Sequence, residues 1–165
     1  MVNDGSDRGK TMIDRTTGGL HLDDEATCIA PGLARDAFLA SSLGARAEVW
    51  VRNEPHCAYR AQVRLGGKRV VLVLRFQGED LRGVELALAG DRWGTSWDDW
   101  SEALEGEKQR AHDAWLRDHL GPPPYDYAWG TVESCYDERS GASTIVVRYQ
   151  AAGLRGIARR LRDLM

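Results

Sequence analysis

Two alternating runs dominate the middle of the chain. In HCAYRAQVRLGGKRVVLVLRF, His56 to Phe76, apolar side chains recur at every second position on both sides of Gly66 and Gly67. Period two marks a strand with one buried face, and a glycine pair accepts the positive φ of a two-residue hairpin turn. The pattern predicts a register: Leu65 opposite Lys68, Val63 opposite Val70, Ala61 opposite Leu72, Tyr59 opposite Leu74 and Cys57 opposite Phe76. The reverse face carries Arg60, Gln62 and Arg64 on the first strand but Val71 and Val73 on the second. That second strand is therefore expected to be central and covered, in part, on both sides. A third strand is expected around Val84, Leu86 and Leu88. Further on, WGTVESCYDERSGASTIVVRY predicts another hairpin, with Val132, Ser134 and Tyr136 facing Val147, Ile145 and Ser143.

Three stretches carry helical spacing instead. PGLARDAFLASSLG places Leu33, Ala37, Phe38 and Leu43 on one side of a short helix ended by Gly44. In WGTSWDDWSEALEGEKQRAHDAWL, Trp93 to Leu116, four of the six tryptophans are gathered. At about 100° per residue, Trp97, Trp100, Leu104, Ala111 and Trp115 share a band about 60° wide. Ser96 is the expected N-cap, with Asp98 and Asp99 in the first turn, where the helix dipole favours anions. Gly121 and the prolines after it end the helix. The tryptophan stripe is expected to face the sheet as core, with ligand stacking as the alternative. Lys108 falls inside the apolar band, either as a snorkelling stem or as a paired buried lysine. The ending GLRGIARRLRDLM predicts a short basic amphipathic helix through Leu154, Ile157, Ala158, Leu161 and Leu164, packed on the domain with its arginines answering acidic groups.

Composition narrows the class. A chain of 165 residues, 42% hydrophobic and 28% charged, fits one soluble globular domain. Residues Met1 to Thr17 read as a polar tail without a packed core, which leaves residues 18–165 as the domain. The net charge of −3 gives no general attraction to nucleic acid. The longest uninterrupted aliphatic run, Val70 to Leu74, is far too short for a membrane span. The N-terminus lacks the apolar core of a secretion signal, and three scattered cysteines suit a reducing compartment. A cytoplasmic protein with no nucleic-acid or membrane partner is expected, its oligomeric state open.

Candidate chemistry is sparse. His112 and His119 share a helix side but stand about 10 Å apart along the axis, too far for one metal ion. His56 and Cys57 are neighbours on a strand and so point to opposite faces, which makes Cys57 a buried thiol rather than a nucleophile. Phosphate loops, zinc motifs and serine elbows are absent from the sequence, so neither a catalytic residue, a metal nor a cofactor is assigned. Between Thr95 and Glu107 there are five acids and no basic residue. Asp98, Glu102 and Glu105 recur at i, i+4 and i+7, away from the stripe, as a solvated face or as a docking surface for a basic partner. Trp93, Tyr125, Tyr127 and Trp129 are the candidates for an aromatic ligand pocket.

The run Trp93-Gly94-Thr95, Trp97, Trp100-Ser101-Glu102, then Lys108, HDAWL, WGTV and SGASTIVVRY, resembles a group of small bacterial proteins with no assigned activity, over roughly Pro31 to Tyr149. In size and charge, though by no motif, the chain also resembles immunity proteins that neutralise toxins passed between bacteria. The expected architecture is α+β: an antiparallel sheet of about five or six strands with one long amphipathic helix across a face and a short C-terminal helix. The expected function is a protein-binding domain of the immunity type, more an inhibitor than an enzyme, docking a basic partner such as a toxin on Asp98, Glu102 and Glu105. The alternative is a small-molecule binder or enzyme built around Trp93 and Trp129.

Overall fold

The computed structural model describes residues 12–93 and 97–151, apart from the side chains of Asp91 and Trp97. Within them the chain runs β1 (Leu20–His21), β2 (Cys28–Ile29), α1 (Arg35–Ala40), α2 (Ser42–Arg46), β3 (Glu48–Asn53), β4 (His56–Leu65), β5 (Lys68–Gln77), β6 (Asp80–Leu88), α3 (Glu102–Leu120), β7 (Tyr125–Tyr127), β8 (Gly130–Asp137) and β9 (Ala142–Tyr149). β1 and β2 form a small ribbon, and the other seven strands form one antiparallel sheet in the order β3-β4-β5-β6-β9-β8-β7. The protein is thus α+β, with a sheet wider than expected. The additional strands are β3, whose six residues are all exposed, and the three-residue β7. β3 lacks the alternation of a half-buried strand, and β7 alternates over only three residues, too few to show a period.

Both expected hairpins form in the expected register. Leu65 pairs with Lys68, and the pairing continues in step to Cys57 with Phe76. Gly66 and Gly67 take φ of 58° and 78°, which a side-chain-bearing residue adopts only under strain. In the second hairpin Val132, Ser134 and Tyr136 face Val147, Ile145 and Ser143. The apolar face of the sheet meets α1, α3 and the N-terminal ribbon, with Phe38, Tyr59 and Phe76 in mutual ring contact. β5 is central, as expected, and Val73 is buried on the reverse face. Its cover there comes from the strands beside it: Arg60 lies across from it on β4 and Glu85 on β6.

Three expectations need correcting. Residues Met12 to Thr17 are not tail: Met12 and Ile13 are buried, and Ile13 bridges to Leu20. Residues 1–11 and the expected C-terminal helix lie outside the described residues. The single helix over 31–44 is two short ones, because Ser41 caps a new helix by accepting from the Gly44 N–H at 3.1 Å. Gly44 lies inside α2 and ends nothing. A side chain there would run into the Phe38 carbonyl.

The third correction concerns α3. It starts at Glu102, where Ser101 Oγ accepts from the Leu104 N–H at 3.0 Å. Residues 97–99 form a separate 3₁₀ turn, and the expected cap, Ser96, lies outside the described residues. The buried side of α3 carries Glu105, His112, Trp115, Leu116 and Leu120, rotated by roughly a quarter turn from the tryptophan band. Trp115 remains in the core. Trp100 is 43% exposed and lends its indole N–H to the Gly141 carbonyl at 2.8 Å. Among the described residues no helix is long and apolar enough to cross a membrane.

Candidate functional site

The polar residues buried on α3 are explained by the strands beneath it. β6 and β9 are paired from Gly83–Arg148 to Leu86–Ile145. Beyond that point α3 supplies the partners. The Leu88 N–H donates to His112 Nε2 at 3.1 Å, and the Ser143 N–H donates to Glu105 Oε2 at 2.8 Å. Ser143 Oγ donates to the Glu105 carbonyl at 2.8 Å. Glu105 Oε1 in turn holds Lys108 Nζ at 3.0 Å, with both side chains largely out of solvent. Lys108 is therefore the paired buried lysine of the two alternatives. A buried backbone N–H without a partner costs about 1–3 kcal/mol, so these side chains complete the sheet where it opens.

This removes Glu105 from the surface. Of the three acids expected to form one face, Asp98 is exposed in the 3₁₀ turn, Glu102 is exposed at the start of α3, and Glu105 is buried. The outward side of α3 remains acidic, with Glu102, Glu107, Asp113 and Asp118 exposed beside Arg110 and Arg117.

The four aromatic candidates do not surround one cavity. Trp93 packs partly buried against the core with the Arg92 guanidinium 4.6 Å above its ring. Tyr127 stacks on Trp129 at 5.0 Å, and Trp129 meets Tyr149 edge-on at 5.7 Å. The Trp129 indole N–H donates to the Arg15 carbonyl at 2.8 Å, tying residues near the start of the domain to β8. These rings are a structural clasp. Tyr125 lines a recess, and its hydroxyl donates to the Gly121 carbonyl at 2.8 Å.

That recess is a groove of about 510 Å³ between α3 and the β7–β8 edge. Leu116 and Val132, both buried, give it an apolar floor, and the exposed Asp113, Asp126 and Glu133 line it together with the exposed Arg117. Glu133 also pairs with Arg148 at 3.0 Å. Burial pushes the Tyr125 phenol above its ordinary pKa, Arg117 opposing and Asp113 adding to the shift. Sequence reasoning missed this site because its residues come from three separate elements, and the only local sign was the acid-and-proline composition around Tyr125.

The sulfur and imidazole candidates are accounted for structurally. Cys57 is buried, with Arg35 Nη1 and Glu54 Oε1 each 3.4 Å from its sulfur, while His56 is exposed on the opposite face. His119 Nδ1 accepts from the Met12 N–H at 3.4 Å. Compared with protein-family models, with curated proteins and with solved structures, the chain matches none.

Proposed function

We propose that the chain is a protein-binding domain that receives a basic partner in the groove between α3 and the β7–β8 edge. The observation that carries this reading is the groove itself: an apolar floor rimmed by the carboxylates of Asp113, Asp126 and Glu133. Such a recess supplies buried apolar contact in the middle and orienting charge at the rim, the arrangement that protein interfaces use. An inhibitor of the immunity type, acidic and small, is the form of this function that agrees with the net charge of −3. Asp98, in the turn ahead of the helix, and Glu102, at its start, add the same sign of charge, so they steer the encounter rather than form its centre.

The test is capture of the partner with tagged protein, followed by association kinetics at two ionic strengths. Asp113→Asn with Asp126→Asn should slow association most at low salt, because exposed charges act over about 10 Å at 0.1 M. Equal rates for parent and variant at both salts would remove the groove from the function. A second reading is favoured by the groove's size, which lies in the range that holds small ligands. In that case it takes a small cation, and Tyr125 is the member of the expected aromatic set that touches it.

A further inference from the structure

We propose that the free edge of β8 takes up an extended segment of the basic partner as an added strand. This rests on the groove being the partner's site, and it names how the partner is held.

The argument starts from alternation in the ladder. In an antiparallel pair, successive residues turn their N–H and C=O groups to opposite neighbours. The Gln150 N–H donates to the Trp129 carbonyl at 2.9 Å. With the continuous β8–β9 register, this assigns Thr131, Glu133, Cys135 and Asp137 to β9. Gly130, Val132, Ser134 and Tyr136 then face the other way. β7 meets that side only as far as Val132, which pairs with Tyr125. The chain ahead of Tyr125 is Pro123–Pro124, which has no N–H to extend the pairing. Among the described residues no strand lies against Ser134 and Tyr136, so two N–H and two C=O groups stand open on that edge.

The groove lies beside this edge. Ser134 lines it, and Ser134 Oγ is buried there without a hydrogen-bond partner. A strand laid along Ser134 and Tyr136 would place every second side chain in the groove, since alternate residues point to opposite faces. Leu116 and Val132 receive an apolar side chain, and Asp113 and Asp126 receive a lysine or arginine. Charge selects this occupant over a second copy of the chain. Two β8 edges joined about a two-fold axis through Cys135 would set Glu133 of each copy opposite Asp137 of the other, and like charges facing across strands are unfavourable. Exposed edges are a liability that proteins usually blunt. Here Pro123 and Pro124 end the vacancy on one side, leaving room for a short strand.

The experiment uses the full chain and a random-peptide display library. Selected peptides are synthesised with each backbone nitrogen methylated in turn, which deletes one donor without touching the protein. Strand addition predicts that methylation weakens binding about tenfold at alternate positions and little between them. It also predicts slower amide hydrogen exchange at Ser134 and Tyr136 in the complex, and lysine or arginine enrichment that disappears with Asp113→Asn and Asp126→Asn. Peptides that need the two aspartates but show no alternate pattern overturn strand addition and leave the groove as the site. Peptides indifferent to the aspartates overturn both readings. A library that yields no binder overturns strand addition.

Discussion

His112 should make the protein lose stability in mild acid. Its ring is fully buried, and Nε2 accepts from the Leu88 N–H at 3.1 Å. An accepting nitrogen carries no proton, so the native ring is neutral with its proton on Nδ1. Burial, with Lys108 adding to it and Asp113 and Glu105 opposing, lowers the pKa from 6.5 to about 4. The unfolded chain therefore takes up this proton near its ordinary value, while the native state resists until about pH 4. Falling pH between these two values favours the state that binds the proton, the unfolded one. The slope reaches about 1.4 kcal/mol per pH unit and the total comes to about 3 kcal/mol, levelling off at lower pH. His112→Gln offers an acceptor at a similar reach and cannot titrate. Urea denaturation of both proteins from about pH 7 down to about pH 4 is the assay, and the difference between them is the measured quantity. The depressed pKa of His119 acts in the same direction but is common to both. If parent and variant lose stability equally over this window, then His112 is solvated or already charged in the native state and the reasoning fails.

Glu105→Ala should cost about 3–5 kcal/mol, because it strands the Lys108 ammonium and the Ser143 N–H, and adding Lys108→Met should recover part of the loss in chemical denaturation. Asp98→Asn with Glu102→Gln should change stability by less than about 0.5 kcal/mol, so a large loss would show that these acids are structural. Trp100→Ala should cost only about 1 kcal/mol, and a loss near 4 in thermal or chemical melts would restore the tryptophan stripe to the core. A thiol reagent followed by mass spectrometry should label exposed Cys28 before buried Cys57, and rapid labelling of Cys57 would contradict its place beside Phe76.

The strands were legible wherever one face is buried and the other is wet. Val63, Ala61 and Tyr59 opposite Val70, Leu72 and Leu74 could be paired on paper because a slip of one residue would turn every one of them to solvent. β7 escaped because three residues are too few to show a period, and β3 for the converse reason. Val49, Trp50 and Val51 are all exposed at the sheet edge, so no pattern of burial was written into them. The groove was illegible for a different reason. Asp113, Asp126 and Glu133 are unremarkable alone, and only the return of the chain at Gly121 brings them together.

The failure on α3 has a physical cause that extends beyond this helix. Reading an amphipathic helix assumes that its buried side is apolar, since a packed sheet normally satisfies its own backbone. Here β6 and β9 part after Leu86 and Ile145, and the exposed ladder N–H groups need acceptors that no aliphatic side chain can offer. Glu105 and His112 meet that need one turn pair apart on the helix, and Lys108 between them neutralises the carboxylate. The requirement rotated the helix and moved the usable acidity toward Asp113. A dip in helix hydrophobicity above a diverging strand pair is thus itself a packing signal. It places the polar residues in the interior, and it leaves for binding only the acids on the opposite side.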